Sequence, residues 1–515
     1  MKCAHEYRTA GKKCPYEAEE GSELCRWHVQ QSGKRLSGKD LTKIDLEEAY
    51  LKGADLSSSN LTGARLVGAN LFGAVLEGAT LVDADLSDAD ISKSQMRGVD
   101  LENAKLKYCK AEGTILANSN LQNADLSWAV MREAILTGAR LPYATLLDAS
   151  LVNAVLLHAM LENATMRGVD LKGADMQVAD MRGADLRGAT LDGCNMRGAD
   201  LRGTDLKYAS LEGAILANSN LQRADFARAQ LKNVLVQSTT AQRANFRECD
   251  LENADFSDAN LDKANLRGAN LKGANFDDAI LTDADLFNAK IEGIQNLRYA
   301  ALDDVSITER LADENVRKGE HIAALKRYDE AIATYLDLKN HFNAAGLYEK
   351  SSEYYIHEWT VRGKLERTAL RLDEGQLKAN KFVPYHFPFS FKYRSNRLFA
   401  SILQLEGWTK WISNKLFYLI SNYGQSPLRV LLTSLTIIFS YTFIYWLSGG
   451  ITTGPETFVP TFAESLYFSV VTFTTLGYGD FHPKPSIQLV AISEAFLGAF
   501  IIAFFVVVVS RRLIR

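Results

Sequence analysis

Cysteine is scarce: six in 515 residues, with no secretory context. That fits a reducing cytoplasm and excludes a scaffold held together by disulfides. Charge of one sign is not in surplus either, since a net charge of −4 at this length argues neither for nor against nucleic acid. No glycine-rich phosphate loop appears, so nucleotide binding has no motif behind it. No series of arginines punctuates an apolar run, which leaves voltage sensing by that route unsupported. No nucleophile stands with a base outside positions explained by a repeat, which argues against an enzyme. The opening Met1-Lys2-Cys3-Ala4-His5-Glu6 leads into a polar stretch with no apolar h-region, so no cleavable signal peptide is expected. Long apolar runs are confined to two segments in the last fifth of the chain. With 23% charged residues, most of the remaining mass reads as soluble, and the length suits three or four domains.

Those two runs are long enough to span a bilayer. Val430 to Leu447 holds 18 residues without a charge, the lower limit for a spanning helix. Leu489 to Val509 spans with some tilt and carries one acid, Glu494. Between them, Thr461-Phe462-Ala463-Glu464 reads as a capping box opening a short helix through Ser465–Thr474. Its partially negative C-terminal end favours a cation. There follows Thr474-Thr475-Leu476-Gly477-Tyr478-Gly479-Asp480. A dehydrated potassium ion needs closely spaced oxygens, which symmetric loops supply from threonine hydroxyls and successive carbonyls. Gly477 and Gly479 permit the positive φ that turns consecutive carbonyls towards one axis.

From Ser426 to Arg515, under a fifth of the chain, this arrangement resembles the two-transmembrane potassium channels. The resemblance implies that Thr475, Leu476, Gly477, Tyr478 and Gly479 supply the oxygens that coordinate K+. It also implies a homotetramer, because one chain provides a quarter of a filter. Thr472, Thr474 and Asp480 fall on familiar supporting positions. Tyr467 and Phe468 stand where the family usually has two tryptophans, which implies a looser aromatic cuff. Val471 replaces a carboxylate found behind the filter in some members, so no buried acid at that position braces it. Leu476 replaces the commoner valine. Glu494 reads either as a functional intramembrane acid or as a group hydrogen-bonded behind the filter. Gly498 matches the family's inner-helix hinge glycine, and close packing through a small residue is the alternative. Below it Ile501, Ile502, Phe504, Phe505 and Val508 suit a hydrophobic gate, although only about one residue per turn can line a pore. Gly498, Phe504, Phe505 and Val508 form the gating set.

Lys410, Lys415 and Arg429 precede the first span, and Arg511, Arg512 and Arg515 follow the second. The intervening loop has Glu456, Glu464 and Asp480 against Lys484 alone. The charge bias therefore places both termini in the cytoplasm of a two-span protein of the cell (plasma or inner) membrane, with the filter facing out.

From Leu41 to Ile291 every fifth residue is Leu, Ile, Met, Phe or Val, with Ala111 and Ala241 the exceptions. Two residues before each is mostly Ala, and the residue between is often Asp or Asn. In an extended triplet the outer two side chains share a face. Ala and Leu therefore point inward, Asp or Asn outward, and the next two residues turn a corner. Period five excludes an amphipathic helix and an ordinary strand. The pattern is similar to the pentapeptide-repeat family, which implies a right-handed square β-helix with four pentapeptides per coil. Its 51 repeats make between twelve and thirteen coils. At about 4.8 Å per stacked strand the rod is about 60 Å long. Cys109, Cys194 and Cys249 take the small inward position as packing residues. Val234, bulky there, and the weak stretch that follows predict a bulge or coil distortion near 232–243. Pro142 sits at a corner, where its fixed φ is tolerable. Some family members are acidic rods that mimic DNA, but fusion to a pore argues against nucleic acid as a partner. A rigid arm sensing an unidentified cytoplasmic ligand or protein and a passive scaffold are the two remaining readings.

Cys3, Cys14, Cys25 and His28 form C-x10-C-x10-C-x2-H. Three thiols and an imidazole suit one structural Zn2+ per chain, and about 30 residues cannot build a core unaided. The set resembles short Cys/His zinc modules, and His5 offers a substitute ligand. Reduced cysteines in a cap that covers the first coil's apolar end are the alternative. After the repeats, Tyr328, Ala331, Ile332, Tyr335, Leu336 and Leu338 recur at helical spacing, as do Tyr348, Ser352, Tyr355 and Trp359. That segment looks like a tetratricopeptide-type hairpin or a plain helical spacer. Beyond it, Tyr385 to Arg397 is rich in aromatics and bases. Leu405, Trp408, Ile412, Leu416 and Leu419 then suit an interfacial helix on the bilayer.

The fold class is therefore multidomain: a right-handed parallel β-helix, an α-helical connector and an all-α two-transmembrane tetrameric channel pore. The boundaries are 1–35 for the Cys/His cap, 36–298 for the β-helix, 299–380 for the connector, 381–427 for the interfacial segment and 428–515 for the pore. The function expected is a potassium-selective channel gated or scaffolded by the β-helical arm. A less selective cation channel and a non-conducting membrane-anchored adaptor are the competing readings.

Overall fold

The computed structural model describes residues 1–7, 13–297, 306–369, 371–372, 412–454 and 458–513. Residues 381–411, which hold much of the aromatic and basic interfacial segment, lie outside these. The chain divides into two units, Met1–Ile307 and Thr308–Arg515.

In the first unit each extended residue pairs in parallel with the one twenty positions on, from Arg35↔Asp55 to Asn275↔Gln295. Twenty residues make one coil of a right-handed β-helix with four pentapeptides to the turn. The corners close by a backbone bond across the turn, as from Ala54 N to Leu51 O at 2.9 Å. Neighbouring coils are joined by bonds such as Leu46 N to Arg65 O at 2.7 Å. The second corner residue carries a positive φ throughout, 60° at Gly53 and 59° at Asn103. Glycine, asparagine and aspartate bear this most cheaply. Val178, held at 57°, is an exception that strains a β-branched residue.

The outward Asp and Asn residues do more than face water. Asp55 Oδ1 accepts from Ser57 N at 3.1 Å, and Asn70 Oδ1 accepts from Phe72 N at 3.1 Å, so each braces its own corner. Asn side chains also bridge coils, as from Asn270 Nδ2 to Asp250 Oδ1 at 2.8 Å.

Inside, the Leu and Ala ladders are buried, and Phe226 stacks on Phe246 while Phe256 stacks on Phe276. Cys109, Cys194 and Cys249 are buried among them. Burial pushes their thiols up to about 12, which makes them poor nucleophiles. No bulge interrupts the ladder near 232–243, although at the 236–239 corner the Thr239 hydroxyl donates to Val236 O at 2.8 Å where other corners use the backbone N–H. Leu235↔Asp255 and Thr240↔Asn260 pair like every other coil. Val99 and Val169 fill the same small inward position, fully buried in regularly paired coils, so the ladder takes a valine there without a break.

In the second unit, α1 (Ile307–Arg317), α2 (His321–Ala344) and α3 (Tyr348–Ala369) form the connector. Phe342 stacks on Tyr354 between α2 and α3. Two charge clusters fix the packing. Lys364 reaches Glu309 at 2.8 Å and Asp313 at 2.6 Å, and Glu358 binds Lys339 at 2.7 Å and Arg362 at 2.9 Å. Glu309 and Glu358 are buried, so removing a partner would leave a charge unpaired away from water.

A helix over 412–421, α4, precedes α5 (Pro427–Ser448), α6 (Phe462–Phe473) and α7 (Gln488–Leu513). Ser426 caps α5, with Pro427 in its first turn, and Gly449 ends it at φ 57°. The two-residue strands β1 (Ile451–Thr452) and β2 (His482–Pro483) pair antiparallel across the loop that carries α6. Helices α5 and α7 are the two among the described residues long and apolar enough to cross a membrane. Ile412, Leu416 and Leu419 leave an apolar face of α4 exposed.

Candidate ion-conduction site

The site begins with the cap of α6. Thr461 accepts from Glu464 N at 3.2 Å, and Glu464 accepts from Thr461 N at 2.8 Å, completing the capping box. At the other end Thr474 N, Thr475 N and Leu476 N bond back to Val470 O, Thr472 O and Val471 O at 2.9, 3.1 and 3.0 Å. These bonds set the angle at which the chain leaves the helix.

Beyond it φ is positive at Thr475 (57°), Gly477 (55°) and Gly479 (77°), every second residue. A backbone that reverses handedness at alternate residues turns successive carbonyls towards one side, the arrangement a cation filter uses. Two of the three positions are the glycines singled out by sequence. Thr475 is not, and a left-handed β-branched residue costs about 1–2 kcal/mol. Its hydroxyl donates to Thr474 O at 2.7 Å. Leu476, Tyr478 and Asp480 are exposed along this segment.

Around this segment, the Tyr467 ring meets Phe481 edge-on at 5.9 Å. Phe468 is buried against Tyr445, with ring centroids 5.0 Å apart. Thr474 Oγ1 donates to Val470 O at 2.7 Å, while Thr472 contributes its carbonyl to Thr475 N.

Glu494 is fully buried and points at the back of α6. It accepts from the Tyr445 hydroxyl at 2.6 Å and hydrogen-bonds the Ser469 hydroxyl. Although Val471 carries no acid, the pore helix is thus held by a carboxylate from α7. Gly498 lies one turn further along. A Cβ there would stand 2.0 Å from Phe473 O and 2.9 Å from Phe473 Cα, so α7 crosses the end of α6 backbone to backbone.

The gating set divides. Val508 is buried, as is its neighbour Ile501, with Val430, Ile438 and Phe473. Phe504 and Phe505 are half-buried against the same cluster. The exposed face of α7 carries Ile492, Phe496, Phe500, Val506 and Val507 instead.

In the first unit, Cys3, Cys14, Cys25 and His28 converge, with all four ligand atoms within 4.8 Å of one another. His5 is not among them. It stacks on His28 and turns its Nε2 to Glu48 at 3.1 Å.

The family model described as pentapeptide repeats (8 copies) matches overlapping segments from residue 40 to residue 293. HetL, a pentapeptide repeat protein involved in heterocyst differentiation regulation in the cyanobacterium Nostoc sp. strain PCC 7120, is 30% identical. The match covers 43% of this chain and 89% of HetL, with a TM-score of 0.21. This chain belongs to the pentapeptide-repeat family. A pentapeptide repeat protein of the Arabidopsis thaliana thylakoid lumen is 38% identical over 20% of the chain and 72% of its own length, with a TM-score of 0.20. QnrB1, a plasmid-mediated fluoroquinolone resistance protein, is 17% identical over 36% of the chain and 93% of its own length, with a TM-score of 0.17. None of the curated proteins matches. The model described as ion channel matches residues 431–515 of this pentapeptide-repeat protein, the two spans and the segment between them. It is therefore a membrane protein with an ion-channel domain, and neither family is an enzyme class.

Proposed function

We propose that this pentapeptide-repeat protein forms a homotetrameric potassium channel whose filter is Thr475–Gly479. The observation that carries the reading is the left-handed φ at Thr475, Gly477 and Gly479, directly after the C-terminal end of a capped helix. Four such segments around an axis would offer stacked rings of oxygens to a dehydrated K+, with four helix dipoles favouring the cation. The exposed filter and the exposed apolar face of α7 are the surfaces that assembly would cover.

Charge bias supports cytoplasmic termini and an outward filter in the cell membrane. In liposomes loaded with K+, the purified protein should give K+ efflux well above that of protein-free vesicles. Gly477→Asp, which adds a side chain and a charge at a left-handed position, should bring efflux to the protein-free level. Equal efflux from both proteins would overturn the assignment of the filter.

The connector has a physical route to the pore. Trp359 of α3 meets Phe417 of α4 edge-on at 6.3 Å, and Asn414 Nδ2 donates to Trp359 O at 3.2 Å. Phe417 in turn packs on Phe504 of α7 at 5.8 Å. Movement of α3 would thus reach the inner helix through one aromatic ring. Phe417→Ala should change single-channel open probability at least several-fold while leaving conductance untouched. Unchanged open probability in Phe417→Ala would rule this route out. The β-helix is then an arm on which a cytoplasmic ligand or protein acts.

A further inference from the structure

The side chains of Cys3, Cys14, Cys25 and His28 meet where the N-terminal segment abuts the first coil of the β-helix. Cys3 and Cys14 come from facing strands, paired at Lys2↔Glu17 and Glu6↔Lys13. Cys25 and His28 come from a single turn closed by His28 N to Cys25 O at 3.0 Å. Cys14 and Cys25 sulfurs stand 3.5 Å apart. His28 Nδ1 is 3.2 Å from the Cys25 sulfur and 3.7 Å from that of Cys3. A tetrahedral ion with zinc–sulfur bonds of about 2.3 Å requires sulfur–sulfur edges of about 3.8 Å, so the four side chains already approximate its coordination shell.

Three surroundings fit an ion rather than a set of packed thiols. His28 Nε2 lies 2.9 Å from Glu47 O, which as an acceptor makes Nε2 the protonated nitrogen and leaves the Nδ1 lone pair directed at the sulfurs. Cys25 N donates to the Cys3 sulfur at 3.1 Å, a bond that strengthens when the acceptor is a thiolate. The buried Tyr7 hydroxyl, which has no hydrogen-bond partner among the described residues, lies beside Cys14, where a metal-bound thiolate would accept from it.

We propose that these four residues hold one Zn2+ that locks the N-terminal segment onto the first coil. Soft thiolates with one imidazole select zinc over harder cations, and four protein ligands leave no open position, so the site is structural. Through His28 and Glu47 the ion is tied to coil one. Lys34 completes the join, donating to Val29 O, Gln31 O and Tyr50 O at 3.0, 3.0 and 2.6 Å. The exposed end of a β-helix otherwise frays, and this lock is what protects it.

The test uses the full-length protein in detergent. Elemental analysis should find one zinc per chain, and replacement by Co2+ should give the visible d–d bands of a tetrahedral thiolate site. Alkylation read by mass spectrometry should label none of the six cysteines before strong chelation. After it, Cys3, Cys14 and Cys25 should label, with Cys109, Cys194 and Cys249 as protected internal controls. Hydrogen exchange should then rise at least tenfold over residues 33–60 and stay unchanged over 100–270. Absence of zinc and of the cobalt bands, with the rod cysteines still protected, would overturn the site. Loss of zinc with unchanged exchange over 33–60 would overturn its role as a lock. Cys25→Ser, should it fold, is expected to bind no metal and to reproduce the chelated exchange pattern.

Discussion

Gly498→Ala is expected to remove potassium flux and to lower the thermal midpoint of the assembled protein. The added methyl would sit 2.0 Å from Phe473 O and 2.7 Å from its carbonyl carbon. Both are backbone atoms in the last residue of α6, so no rotamer change relieves the clash. Overpacking in a filled core costs about 1–3 kcal/mol when side chains can yield, and here only a helix can. Whatever moves Phe473 moves Thr474 and the filter attached to it. The substitution also separates two roles for this glycine. If it served only as a hinge, alanine would alter opening and leave the thermal midpoint near wild type. If it is a contact point, the midpoint falls and flux drops at least tenfold even under conditions that favour opening. Wild-type flux with a wild-type midpoint would contradict the packing described for α6 and α7.

The second large effect is at Glu494. Leucine there would leave the hydroxyls of Tyr445 and Ser469 buried with their carboxylate partner gone. Each buried polar group left unsatisfied costs about 1–3 kcal/mol. Ser469 keeps a second bond, to Ile438 O at 2.9 Å, so most of the loss falls on Tyr445. Glu494→Leu should therefore destabilise the pore by about 2–3 kcal/mol, read as a lowered thermal midpoint in detergent. Glu494→Gln, which retains an acceptor at nearly the same place, should recover at least half of that. Tyr445→Phe in the Leu background should restore part of the rest, because the orphaned hydroxyl is then absent. A Glu494→Leu protein as stable as wild type would show that the bridge from α7 does not hold the pore helix.

Much of this was open to reading from residues alone, for identifiable reasons. The five-residue period marked which side chains point inward and where the corners fall, and the resemblance to the pentapeptide-repeat family implied the square coil. The Thr461–Glu464 box marks a helix start by local hydrogen bonding and needs no tertiary context. Other features depend on neighbours that the local pattern does not display. Val234 is accommodated as Val99 and Val169 are, at an inward position whose spare room shows only once the coils are stacked. The left-handed φ of Thr475 opposes the residue's own preference and is imposed by the end of α6. Val508 and Val507 are alike in composition, yet one packs on α5 and the other is exposed, a distinction set by how α7 is rotated. The corner bonds of the outward Asp and Asn residues follow from their chemistry, but the repeat pattern alone marks them only as solvent-facing.

On the proposed function, Thr475–Gly479 conducts potassium in preference to sodium. The direct measurement is the reversal potential across a bilayer holding the purified protein, with K+ tenfold higher on one side and Na+ making up the difference on the other. A potassium-selective pore should reverse near the potassium equilibrium potential, about 59 mV in magnitude for a tenfold gradient. Reversal near zero, with currents that vanish in Gly477→Asp, would contradict selectivity for potassium over sodium.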